Sequence, residues 1–271
     1  MKSKESNGIA GLSMYDWPEV QKENDTLWEL IGQSLKNRNI LAPEKLTRKK
    51  DSYDIWLAND LFIGQTCGLN AIRELQGRVE VLGSLDYGVE GCLPGEYRSL
   101  VVCRKDDESQ RIEDFVDKTA AINSDDSYSG YGALLVAIKP FVKNNQFFEK
   151  TVITGSHRQS MKAIANKQAD IAAIDEVVWN LGLSYEPAVD HLKVIKKTEA
   201  MPAPPLITKW SNNQLRNVLN ESIFEAVSLL DDKTKAILQL YGYKPMDTVE
   251  YEIIAKQLNE IKEPHRALGI K

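Results

Sequence analysis

Three cysteines and three histidines are all that this 271-residue chain has of the softer metal ligands. Cys67, Cys92 and Cys103 form no CxxC pair and have no histidine close in sequence, so no metal site is expected. An odd count also cannot pair completely. No apolar run reaches the roughly 18 residues of a membrane-spanning helix. Positive charge is in deficit, 34 Lys plus Arg against 39 Asp plus Glu, for a net charge of −5. Nucleic-acid phosphates call for a basic face, so no nucleic acid is expected as partner. The amino terminus, MKSKESNGIAGLSMYDW, is polar where a secretory apolar region would stand, so no export signal is expected. The chain is therefore cytoplasmic or begins at a mature end. What remains is an ordinary globular composition, 42% hydrophobic and 27% charged. Its length suits two lobes or one large α/β unit.

Short β-rich runs alternate with helical patterns, which predicts an α/β architecture with parallel strands. Strands are expected at Gly8 to Met14, Leu61 to Gly64, Val79 to Leu85, Tyr97 to Cys103 and Thr119 to Asn123. Further on, helices at Ser127 to Val142, Ser156 to Lys167 and Glu176 to Leu183 alternate with strands at Phe148, Asp170 and Leu192. After the proline-rich crossover Met201 to Pro205 the pattern is mainly helical. A Gly/Pro loop near Gly95 forms a second break. Together the breaks predict lobe one at 1–95 and 204–271 and an inserted lobe two at 96–203. Such an insertion leaves a cleft, a common ligand site.

Two loops in the inserted lobe carry chemistry. Asn123-Ser-Asp-Asp-Ser-Tyr-Ser-Gly-Tyr131 places the hydroxyls of Ser127, Tyr128 and Ser129 at a helix entry. Helix starts offer free N–H groups and a partial positive charge, so an oxyanion can dock there without lysine. Thr154-Gly-Ser-His-Arg-Gln-Ser160 joins the next strand to its helix, with Ser156 and Gln159 spaced as a capping box and His157 in the first turn. Each loop alone reads equally as a capped turn. On parallel strands, however, both fall at one sheet edge, where α/β proteins bind ligands. Asp175 ends a buried-type strand, as a helix N-cap, an acceptor aimed at the cleft, or both. An acceptor there would take the acidic O–H of a phosphate or phosphonate and repel fully ionised sulfate.

The stretches TGSHRQSMKAIANKQADIAAID and INSDDSYSGYGAL resemble the phosphonate- and phosphate-binding components of ABC importers, the PhnD-like family. SMYDWPE, GQTCG and LDYGVEGCLPGEYRSLVV support the resemblance in order, from about Gly8 to Thr208. It implies a type II periplasmic-binding-protein fold: two lobes, each a mostly parallel sheet flanked by helices, around a hinged cleft. It also implies a small oxyanion as ligand, importer membrane subunits as partners and an extracytoplasmic location. Tyr15, Gln65 and Thr66 would form the opposite jaw, with Tyr87 and Tyr97 as weaker candidates for the wall. The family's usual Ser-Thr-Ser type turn is Ser127-Tyr128-Ser129 here, so Tyr128 either narrows the site or points away.

The expected function is thus a monomeric, non-enzymatic solute-binding protein, without cofactor, that closes around its anion. Alternatives are a cytoplasmic sensor or scavenger on the same fold, or an enzyme using Cys67 or His157. A disulfide between Cys67 and Cys92 is expected to tie the GQTCG turn to the Gly88 to Gly95 loop, leaving Cys103 a buried thiol.

Overall fold

The computed structural model describes residues 8–210 and 212–270. Twelve strands run through these residues in chain order: β1 (Ile9–Gly11), β2 (Leu61–Gln65), β3 (Glu80–Asp86), β4 (Glu96–Tyr97), β5 (Ser99–Arg104), β6 (Thr119–Ile122), β7 (Lys150–Ile153), β8 (Ile171–Asp175), β9 (Leu192–Lys197), β10 (Met201–Pro202), β11 (Pro205–Thr208) and β12 (Gly242–Pro245). The described residues divide into two compact units. The first takes the described residues up to Glu96 together with Pro202–Glu252. The second takes Tyr97–Met201 and the described residues from Ile253 onward.

The first unit holds a five-stranded sheet in the order β1-β2-β11-β3-β12. β1 and β2 pair in parallel, whereas β11 runs antiparallel between β2 and β3, and β12 antiparallel along β3. β2 is buried at all five positions, as expected of a strand covered on both faces. Over the sheet the helix Gln21–Asn37 buries Leu27, Trp28, Ile31 and Leu35, one stripe at helical spacing. It packs on the helix Asn213–Leu229, whose buried stripe is Leu219, Ile223, Ala226 and Val227.

The second unit's sheet has the order β7-β6-β8-β5-β9. β7, β6 and β8 are parallel neighbours, and β5 runs antiparallel between β8 and β9. β8 is buried at all five positions. The edge strand β9, Leu-Lys-Val-Ile-Lys-Lys, carries lysines, which discourage further strand pairing.

Several expectations need correction. The sheets are mixed: β11 and β12, which follow the crossover in a region expected to be mainly helical, run antiparallel in the first, and β5 runs antiparallel in the second. β11 enters a central position by placing Pro205 first, where the missing N–H costs least. β12 was not expected at all, since its four residues end in proline. The helix expected over Ser127 to Val142 is a π turn at Tyr128–Gly132, an α-helix at Ala133–Ile138 and a 3₁₀ turn at Lys139–Phe141, where Pro140 stops the α-helix.

The carboxy-terminal region does not return whole to the first unit. From Ile253 it packs within the second. The carbonyl of Ala267 accepts the N–H groups of Phe147 and Phe148, at 3.0 and 3.1 Å, and Thr151 donates to the Leu268 carbonyl. Lys139 pairs with Glu260, so backbone and charge both fix the segment.

Gly83 is where β12 closes on β3. A Cβ there would lie 2.4 Å from the Lys244 carbonyl oxygen and 2.6 Å from the Tyr243 hydroxyl. Gly83→Ala should therefore force β12 outward and lower stability by about 1–3 kcal/mol, read by urea unfolding. An unchanged midpoint would show that β12 yields freely.

Candidate functional site

Because β7, β6 and β8 are adjacent and parallel, their carboxyl ends lie at one edge of the second unit's sheet. Each passes there into a helix start: β6 into Tyr128–Gly132, β7 into His157–Ala165 and β8 into Glu176–Tyr185. The first N–H groups of a helix have no acceptor within it, so three sets of donors gather at this edge. Ser127, Ser156 and Asp175 are the N-caps. Ser127 Oγ accepts from the Gly130 N–H at 3.3 Å, and Ser156 Oγ from that of Gln159 at 3.2 Å, the forward half of the expected capping box. Asp175 Oδ1 accepts from Val177 and Val178 at 2.8 and 3.3 Å. Asp175 is thus an N-cap, one of the two roles expected of it.

The structure links Ser127, Ser129 and His157 in a chain. The two hydroxyl oxygens are 3.5 Å apart, and Ser129 Oγ stands 2.7 Å from His157 Nε2. Ser99 Oγ donates to the Ser129 carbonyl at 2.9 Å and fixes the turn from β5. His157 is buried, and burial pushes its pKa down to about 4. The Ala173 backbone opposes that shift, and Nδ1 has no hydrogen-bond partner among the described residues. The pair has the spacing of a serine nucleophile and its base. It has no carboxylate on Nδ1, however, and an imidazole this acidic is a poor base near neutral pH.

The neighbouring guanidinium groups are already engaged. Arg98 Nε meets Glu176 at 2.6 Å, and Arg158 Nε meets Glu186 at 2.7 Å. These pairs offset the charge of the two cations, so the donors gathered here are mainly neutral.

Sequence reasoning missed three residues. Asn123 lies beneath the π turn, where a Cβ on Gly130 would fall 1.9 Å from its Oδ1. That close approach explains the glycine. Ser99 gave no local signal. Gln257 accepts a hydrogen bond from the Tyr128 hydroxyl at 2.6 Å across 129 residues of sequence. Tyr128 is therefore tethered to the helix Glu252–Asn259.

In the first unit, Tyr15 follows β1, Gln65 ends β2 and Tyr87 follows β3. Tyr15 and Tyr87 meet edge to face, ring centres 4.6 Å apart, and Gln65 Nε2 donates to the Tyr87 hydroxyl at 2.9 Å. Thr66 donates its N–H to the Pro205 carbonyl at 3.0 Å, while its buried hydroxyl has no hydrogen-bond partner among the described residues. Tyr97 is buried at the head of the second unit. The expected disulfide is not formed. Cys67 and Cys92 are both thiols, the first buried at the start of the helix Gly68–Ile72 and the second half-buried in the turn that begins at Val89. Cys103 is a buried thiol, with its pKa raised by burial to about 11.

Two α/β units, each a sheet flanked by helices, define a fold of the type II periplasmic-binding-protein class. The sequence model of periplasmic phosphonate substrate-binding proteins of ABC transporters matches residues 63–252, and the chain belongs to that family. The phosphonates-binding periplasmic protein of Escherichia coli is 29% identical over 160 residues, which span 56% of this chain and 46% of that protein. The chain thus aligns with less than half of that relative's length. Among solved structures, PhnD1 of Prochlorococcus marinus in complex with methylphosphonate superposes with a TM-score of 0.71 at 17% identity, covering 94% of this chain and 100% of that one. The binding component of a Pseudomonas aeruginosa ABC phosphonate transporter gives 0.69 at 21% identity, covering 92% and 84%.

The buried His157 dictates a pH dependence. Its native pKa of about 4 lies below the ordinary 6.5 of an unfolded histidine. Above pH 6.5 both states are neutral and nothing changes. As pH falls from 6.5 toward 4, the unfolded chain takes up a proton that the native state refuses. Up to about 3 kcal/mol of stability is lost over that window. His157→Gln should flatten this limb in urea unfolding, and parallel curves for the two proteins would contradict the assignment.

Proposed function

We propose that this chain binds a small phosphorus oxyanion, a phosphonate or phosphate, as the solute-binding component of an ABC importer acting outside the cytoplasm. The observation that carries the reading is the convergence of three helix starts on one sheet edge, with Ser127, Ser129 and His157 linked among them. Free N–H groups, hydroxyls and helix dipoles favour an anion there, and no unpaired cation is needed. Tyr15, Gln65 and Thr66 are further proposed ligand contacts on the first unit's own sheet edge. Tyr128 acts by anchoring its turn.

Asp175 is proposed to serve by fixing the third helix start rather than by reading the ligand's proton. The Ser129–His157 pair is taken as a binding element, since so acidic an imidazole is a poor base near neutral pH, and Cys67 is taken as structural. The membrane subunits of the importer are the proposed macromolecular partner.

Calorimetry and thermal shift with methylphosphonate, phosphate and sulfate test the reading, because a ligand that binds only the native state raises its stability. At least one phosphorus anion should bind, and turnover should be absent. Ser129→Ala should cost about tenfold to a hundredfold in affinity, the loss of a donor to a charged group. Asp175→Asn keeps a capping oxygen, so the ratio of phosphonate to sulfate affinity should hold, whereas Asp175→Ala should lose about 0.5–2 kcal/mol of stability. A fall in the ratio with Asp175→Asn would restore this carboxylate as a ligand contact.

A further inference from the structure

We infer that Gln257 is a positioning residue of the anion site: it takes the one hydrogen of the Tyr128 hydroxyl and, through that side chain, holds the turn that carries Ser127 and Ser129. Tyr128 is then no donor to the ligand, although it stands between two residues proposed as donors. The inference rests on the anion-binding reading above.

The direction of each hydrogen bond in this cluster follows from which groups can donate. A glutamine amide has an oxygen that only accepts and a nitrogen that only donates. Gln257 Nε2 lies 3.4 Å from a carboxylate oxygen of Glu199, in the segment that follows β9. A carboxylate only accepts, so a flipped amide would set two acceptors face to face. The nitrogen therefore faces Glu199, and Oε1 is left to accept from the Tyr128 hydroxyl at 2.6 Å. Tyrosine has a single hydroxyl hydrogen, and at that distance it is spent on Gln257. What the Tyr128 oxygen keeps is lone pairs, which an oxyanion repels.

The ring is packed as well as bonded. Tyr128 is buried, as is Leu258, the residue after Gln257. A Cβ on Gly132 would fall 2.8 Å from Tyr128 Cδ2 and 3.4 Å from Leu258 Cδ2, so turn, ring and helix crowd one point. All of these residues lie within the second unit. Because Tyr128 separates Ser127 from Ser129, any shift of its backbone displaces both hydroxyls. An anchor at the tip of a long, stiff side chain resists that shift. Ser99 already fixes the Ser129 carbonyl from β5, and Gln257 adds a second, independent hold from a helix distant in sequence.

Calorimetry with methylphosphonate on Tyr128→Phe, Gln257→Leu and the double variant tests this. If the two residues act as a unit, each single variant loses the same factor, about two- to tenfold, and the double variant loses no more. A larger loss with Tyr128→Phe than with Gln257→Leu, adding up in the double variant, would make the hydroxyl a ligand contact. That result, or unchanged affinity in all three, would overturn the inference and leave the functional reading intact. Failure of methylphosphonate and phosphate to bind the wild-type chain at all would overturn both. Hydrogen exchange supplies a readout without ligand. The N–H groups of Gly130 and Gly132, held by the Ser127 hydroxyl and carbonyl, should exchange faster in both single variants, and unchanged rates would contradict the anchoring. Rescue checks the direction of the chain. Gln257→Glu can still accept from Tyr128 but meets Glu199 as a like charge, so affinity should fall. Adding Glu199→Gln restores a donor facing an acceptor and should recover most of the loss; no recovery would overturn the direction assigned here.

Discussion

Three neighbouring strands that point the same way must all surrender the chain at the same place, and everything proposed for the second unit depends on that. β7, β6 and β8 end together, and each continues into a helix whose leading N–H groups lack intrahelical acceptors. Caps at Ser127, Ser156 and Asp175 satisfy some of these groups and fix the angle of each helix. The remaining donors are left oriented in advance, before any ligand arrives. Such preorganisation lowers the ordering cost of any binding proposed here.

Neutrality has a further effect. Arg98 and Arg158 are held by Glu176 and Glu186, so neither cation is available as a mobile counterion for whatever anion comes near. A site built on fixed dipoles and hydroxyls recognises an oxyanion by the geometry of its oxygens more than by its charge. Salt screens such short, buried contacts far less than it screens exposed ion pairs.

The loops at this edge were legible in the sequence because local chemistry writes them. Hydroxyl and acidic residues before a helical pattern are cap signals, and they named Ser127, Ser156 and Asp175 correctly as helix starts. The alternation of strands and helices likewise exposed the α/β architecture. What stayed hidden depends on distance along the chain. Gln257 reaches Tyr128 from 129 residues away, and Ser99 reaches Ser129 from another strand. β11 and β12 are too short and too proline-bound to show a period, although they decide the order of the first sheet. Cys67 and Cys92 likewise stay thiols, since the distance between two loops is nothing that a local pattern encodes.

The carboxy-terminal stretch from Ile253 onward belongs to the second unit, while the segment just before it completes the first. Neither unit is therefore a contiguous piece of chain. A ribosome that has released only the first 200 residues has supplied the first unit without β11 and β12, and the second without the segment that binds Phe147 and Phe148. Domains made from unbroken segments can fold one after another during synthesis. Here both must wait, the first for residue 252 and the second for Ala267 and Leu268 a few residues beyond, so the two units mature almost together.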